Sequence, residues 1–138
     1  MEAAQKIREQ TIINFPKGLL GFEHLKEYII LEEPGSEGIF YWLQSCQEST
    51  VEFLVTRPQL FVNYKVNVEL EQLEDIGVTK PDQVETLSIV NLPQDITKAT
   101  VNLRAPVIIN HQTLQGKQLV LNDEKLSIKY PLYKKELK

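Results

Sequence analysis

The sequence predicts a mainly all-β domain, a small antiparallel β-barrel or strongly curved sheet with one or two short helices. Three observations predict it. Short runs alternate apolar and polar residues at the strand period of two, Gly, Pro, Asn or Asp punctuate many of the gaps, and only one convincing helical pattern interrupts them. One helix is too few for a βαβ arrangement and suits a closed or nearly closed antiparallel barrel.

Each element has its own reason. In residues 39–44, Ile39, Tyr41 and Leu43 alternate with Phe40, Trp42 and Gln44. Both faces are apolar, which predicts a central strand covered on two sides. In residues 51–56, Val51, Phe53 and Val55 share one face, while Glu52, Leu54 and Thr56 share the other, which is expected to be wet. Residues 11–15, 28–32, 85–92, 99–103, 106–110 and 117–122 are further strands, rich in side chains that fit a pleated surface, for about eight in all. Pro106 has no amide to give a central ladder, so the chain turns a corner there, and Gly116 reads as a hairpin turn. Phe53, Val55, Leu103, Val107 and Ile109 are expected to share one core.

The helix spans residues 68–77, with Leu70, Leu73 and Ile76 on one side and Gly77 free to take a left-handed C-terminal cap. At about 100° per residue, Glu71 and Asp75 lie opposite the apolar side, with Glu74 toward the boundary. These three carboxylates are the candidate partner-binding or steering face. A single helical turn is expected around Glu23 to Tyr28, and another short turn behind Pro58. Residues 1–132 are expected to form one domain, since 138 residues are too few for two comfortable cores, and residues 133–138 a polar tail.

Composition narrows the function. Lys and Arg number 15 against 19 Asp and Glu, and the net charge of -4 disfavours direct nucleic-acid binding. The N-terminal stretch lacks the apolar core of a signal peptide and no run is long enough to span a bilayer, which predicts a cytoplasmic protein with no membrane partner. The lone Cys46 suits a reducing compartment and reads as a small buried hydrophobe rather than a nucleophile. His24 and His111 stand far apart without metal-ligand spacing, and read as surface or partly packed residues. Carboxylate clusters such as Glu32 with Glu33 read as solvated loops, and Phe40, Tyr41 and Trp42, without interleaved Arg or Lys, read as core. The residues nominate no catalytic, metal or cofactor site, so an enzyme is not expected.

Three blocks of residues carry a resemblance. Residues 15–31 contain Gly18, Gly21, Phe22 and Glu23; residues 53–66 contain Pro58, Phe61 and Tyr64; and residues 100–123 contain Asn102, Leu103, Ala105, Pro106, Asn110, Gly116, Lys117 and Gln118. In order and spacing they resemble the signature of the flagellar assembly factor FliW family over roughly residues 10 to 132. Leu20 departs from the Gly-Leu-Pro-Gly-Phe-Glu string of many family members, which implies a looser turn. The signature residues read as scaffold: Gly18 and Gly21 for positive φ, Asn102 and Asn110 for local backbone bonds near the Pro106 bend.

The resemblance implies a non-catalytic protein that binds CsrA, a small dimeric RNA-binding repressor, and flagellin. Flagellin would occupy it and leave CsrA repressing the flagellin message; export of flagellin would free it to relieve repression. A small β-barrel carrier of an apolar ligand is the alternative, and it requires an empty apolar bore.

Overall fold

The computed structural model describes residues 10–65 and 68–133. Nine strands lie in these segments: β1 (Ile12–Asn14), β2 (Glu27–Glu32), β3 (Phe40–Ser45), β4 (Glu52–Thr56), β5 (Val84–Asn91), β6 (Thr100–Val101), β7 (Val107–Asn110), β8 (Gln115–Gln118) and β9 (Tyr130–Pro131). They pair in the order β4-β3-β2-β1-β8-β7-β5, and β5 returns to β4 through Val55 opposite Ile89 and Thr56 opposite Ser88. The result is a closed seven-stranded barrel. Its pairs are antiparallel except β1 with β8, which run parallel at Asn14 and Gln115. The end of β5 carries β6 and then β9 as an extension.

Alternation places one side-chain set in the bore. Ile13, Phe15, Tyr28, Leu43, Val55, Leu87, Val107 and Ile109 are all at most 2% exposed and form one cluster, joined by Phe53. Each such burial stabilises the fold by about 1.5–3 kcal/mol before entropy is counted. Phe15 meets Tyr28 edge-on, with ring centroids 5.5 Å apart. At one end of the barrel Arg57 pairs with Glu85 and lies over the Tyr41 ring.

Two further cores lie outside the barrel wall and explain why its strands are apolar on both faces. Leu54, Tyr64, Val90, Val101, Leu103 and Leu132 make the first, with Phe40 and Trp42 packed against it. Leu73, Ile76, Val78, Ile108 and Leu119 make the second. Two expectations change accordingly. The second face of β4 is covered rather than wet, because Leu54 is 7% and Thr56 0% exposed and only Glu52 on that face reaches water. Leu103 leaves the core of Phe53, Val55, Val107 and Ile109, because the bend after β6 carries it outside the barrel.

The corner at Pro106 is present. Val101 lies opposite Val90 and Val107 opposite Leu87, so residues 102–106 bulge between two strands that share β5 as partner. The Asn102 Oδ1 accepts the amides of Arg104 and Ala105 at 2.9 and 3.2 Å and holds the bulge. Gly116, read as a turn, sits within β8 opposite Ile109. Its hydrogen makes room for Phe15, since a Cβ there would lie 2.7 Å from Cζ and 2.9 Å from Cδ2 of that ring. The turn falls instead at residues 111–114, and the run 117–122 leaves the sheet after Gln118.

Glu23 to Tyr28 is not helical: turns around a Leu19–Phe22 bridge lead into β2, which takes Glu27 and Tyr28. Pro58 opens a short 3-10 turn, Pro58–Leu60, as expected. The tail expected over 133–138 lies, beyond Tyr133, outside the described residues.

Tyr64 links two of these parts by donating its hydroxyl to the Leu103 carbonyl at 2.7 Å. Burial pushes its phenol up to about 12 from the usual 10. A raised folded-state pKa favours the fold fully below pH 10, and that advantage is lost as pH climbs from 10 through 12. At about 1.4 kcal/mol per unit the sensitivity is roughly 2–3 kcal/mol. Tyr64→Phe should lower stability at neutral pH by about 1–2 kcal/mol and flatten the wild-type decline above pH 10. Urea denaturation across that range measures both, and parallel pH curves would refute the assignment.

Candidate functional site

The acidic segment is a 3-10 helix, Leu70–Ile76, closed by Gly77 at φ 78 with its amide on the Glu74 carbonyl and the Val78 amide on Leu73. At three residues per turn, side chains three apart stack into stripes. Leu73 and Ile76 point into the core below, with Leu70 above them at 39% exposure. Glu71 and Glu74 form a second, exposed stripe. Gln72 and Asp75 form the third, which faces β8: Lys117 Nζ donates to the Gln72 carbonyl at 2.6 Å and to Asp75 at 3.1 and 3.2 Å.

This geometry regroups the carboxylates. An α-helical period puts Glu71 beside Asp75, whereas the 3-10 period puts Glu71 with Glu74 and turns Asp75 toward the barrel. Asp75 also pairs with Lys17 at 3.3 Å. Burial alone raises its pKa, but the bonds and charges of Lys117 and Lys17 outweigh that and hold it below the usual value. Two lysines therefore neutralise Asp75, and Glu71 and Glu74 remain as the outward charges of the helix. Lys17 and Lys117 lie far from Asp75 in sequence, which hid this pairing from a reading of local periodicity.

The signature blocks meet around the same wall. Gly18 has φ 69 and lies against Glu23, while Gly21 at φ 83 donates its amide to Glu23 Oε2 at 3.1 Å. Backbone hydrogen bonds, that from Gly21 first, hold the Glu23 carboxyl below its ordinary range. Phe22 packs edge-on to Phe53, with centroids 5.2 Å apart. Pro58 is buried at the first position of its turn. The Gln118 side chain stitches the first block to the third: its Oε1 accepts the Leu20 amide at 2.9 Å and its Nε2 donates to the Ala105 carbonyl at 3.1 Å. A proline in place of Leu20 would have no amide to give, so this departure adds a bond rather than only loosening the turn. Asn110 is fully buried and holds the helix terminus, donating to the Ile76 carbonyl at 2.9 Å. Asn102, Ala105, Pro106, Asn110 and Gly116 all serve the bend, the turn or the barrel packing.

Cys46 is exposed rather than buried, because it follows β3 into a surface turn. Partial burial first, then the charge of Glu27, raises its thiol pKa, which works against a nucleophilic thiolate. His24 is exposed, and His111 Nε2 lies 3.0 Å from the Asp82 carbonyl oxygen. Among the described residues no group of three His, Cys, Asp or Glu is placed to hold a metal, and no helix is long and apolar enough to cross a membrane.

The family model described as FliW protein matches residues 2–132 of this chain. The chain belongs to the FliW family. The flagellar assembly factor FliW of Bdellovibrio bacteriovorus is 37% identical over 94% of this chain and 74% of its own length. That of Leptospira biflexa is 42% identical over 90% and 82%. A crystal structure of the flagellar assembly factor FliW superposes with a TM-score of 0.84 at 26% identity, covering 96% of this chain and 92% of that one. The family match spans all three signature blocks and all nine described strands.

Proposed function

We propose that this chain is a cytoplasmic, non-catalytic flagellar assembly factor that binds CsrA and flagellin in turn and so couples flagellin export to translation of the flagellin message. The observation that supports a binding protein over a ligand carrier is the bore: Phe15, Tyr28, Leu43 and Ile109 occupy it at 0% exposure, so recognition belongs on the outside of the barrel. Family membership supports the choice of partners. Calorimetry of the purified chain against CsrA and against flagellin tests it, with one partner expected to change the apparent affinity of the other. No heat and no co-elution with either at micromolar protein would sink the reading.

The Glu71–Glu74 stripe is the proposed steering face for CsrA. An RNA-binding protein presents positive charge, which carboxylates attract and which competing phosphate would otherwise occupy. Because Asp75 is tied to Lys117 and Lys17, reversing it would disturb the docked helix, and the informative variant is Glu71→Lys/Glu74→Lys. It should slow association by roughly three- to tenfold at low salt, and the difference should shrink at high salt. Stopped-flow rates at two ionic strengths measure this, and equal rates at low salt would leave the stripe merely solvated.

A further inference from the structure

The core outside β3 and β4 is only partly roofed. A groove of about 260 Å³ opens over it, floored by Phe40, Trp42 and Leu54, with Leu92, Ile96 and Tyr133 at its lip. Those three lip residues are 48%, 57% and 49% exposed, although each is large and apolar. The apolar surface continues across the sheet, because Leu31 stands opposite Trp42 and Trp42 opposite Leu54. Trp42 is fixed in this wall by its indole N–H, which donates to Glu33 Oε1 at 2.6 Å. A fixed Trp with a half-exposed Tyr at the rim of an apolar groove is the pairing that anchors binding partners, the aliphatic side chains around it serving to exclude water.

Charge says what kind of partner. Residues 27–56, which supply β2, β3 and β4, contain six Glu and no Lys or Arg. Glu27 and Glu52 are exposed on these strands, and Glu33 lines the groove. On the opposite wall Asp95 and Lys98 flank Ile96 and cancel one another. Among the described residues the surround is therefore acidic on the sheet side and neutral on the other.

Backbone pairing says what form the partner takes. A docking strand needs a free edge, but β3 is paired on both sides, by β2 and by β4. At the open end of the extension β9 is two residues long and ends in Pro131, which has no amide. An occupant must then satisfy its own backbone and contribute side chains alone, and a helix does so.

We infer that this groove docks an amphipathic helix of a partner protein, whose apolar side chains at i, i+3 and i+4 enter over Trp42 while Lys or Arg beside them face the acidic strands. The inference goes beyond the reading above, since it depends on neither proposed partner.

Trp42 is the single tryptophan of the chain and lies at the floor, so its fluorescence reports occupancy directly. The probes are three synthetic peptides: an amphipathic Leu/Lys helix, its Leu/Glu counterpart, and a Ser/Lys peptide of the same charge as the first. The Leu/Lys helix should give a saturable blue shift and protect Trp42 from acrylamide, and the other two should not. Leu92→Ser/Ile96→Ser changes exposed residues without changing charge, so the fold should persist by circular dichroism and the affinity should fall tenfold or more. A response equal for Leu/Lys and Leu/Glu, a response to Ser/Lys, or one that survives the double substitution overturns the proposal. So does self-association of the wild-type chain that the double substitution abolishes, because the occupant would then be a second copy. Calorimetry with CsrA and flagellin is a separate readout, and its failure leaves the peptide result standing.

Discussion

Gly18→Ala should destabilise the protein by about 3–4 kcal/mol, while Gly21→Ala should cost only about 1 kcal/mol. Both glycines are left-handed, at φ 69 and 83, so both substitutions carry the same conformational strain. They differ in space. A Cβ on Gly21 meets nothing within 4 Å, whereas one on Gly18 falls 2.6 Å from Glu23 Cα and 2.8 Å from its carbonyl carbon and oxygen. Backbone cannot rotate aside as a side-chain tip does, so Glu23 must move. The loop between them carries Leu19, 1% exposed, and Phe22, which packs on Phe53, into the end of the barrel. Displacing it withdraws apolar surface worth about 1.5–3 kcal/mol per side chain, and that makes up the difference between the two variants. Urea denaturation of both variants decides the matter, and equal losses would mean that strain alone governs the loop. The same comparison by heating should separate the midpoints by several degrees, on the order of 3 °C per kcal/mol.

Much of this barrel was legible in the order of residues, and what was not legible is nonlocal. Alternation in residues 39–44 announced a strand buried on two sides, and β3 has the bore behind Leu43 and the outer core against Trp42. The same logic failed for Leu54 and Thr56, since a pattern of polar and apolar positions records what could be wet and not what comes to cover it. Gly116 read as a hairpin turn; the reason for glycine there is the ring of Phe15, about a hundred residues earlier in the chain. In the acidic helix, Leu70, Leu73 and Ile76 are spaced by three throughout, which fits the 3-10 period as well as the α period. Reading the α period gave the right helix and apolar stripe but the wrong grouping of carboxylates. The partners of Asp75 come from the loop at Lys17 and from β8, which only the closed barrel brings together.

Asn110→Ala should cost about 2–3 kcal/mol and loosen the acidic helix before it loosens the barrel. The residue is fully buried and joins two elements. Its Nδ2 donates to the Ile76 carbonyl at 2.9 Å, and its Oδ1 accepts the amides of Gln112 and Thr113 at 2.8 and 3.3 Å. Gln112 and Thr113 are exposed, so water can replace their acceptor and that loss is small. The Ile76 carbonyl keeps the Thr113 hydroxyl at 3.0 Å, so it is weakened rather than orphaned. What remains is the cavity and the severed tie between helix and β7, which hydrogen exchange at residues 70–77 should register as faster opening. Asn110→Asp separates these terms. It keeps the acceptor for the turn but, when ionised, sets a buried carboxylate against the Ile76 carbonyl, which should make it worse than alanine at neutral pH. Desolvation raises the folded-state pKa of such a group, so its penalty is absent below the unfolded carboxylate pKa and grows as pH rises through the folded value. Once protonated, the aspartic acid can donate to Ile76 as the amide does. In denaturation at acidic and neutral pH, each variant measured against wild type at the same pH, Asn110→Asp should be the better variant in acid and the poorer one at neutrality. A constant order across pH would show that Asn110 fills space and donates nothing that matters.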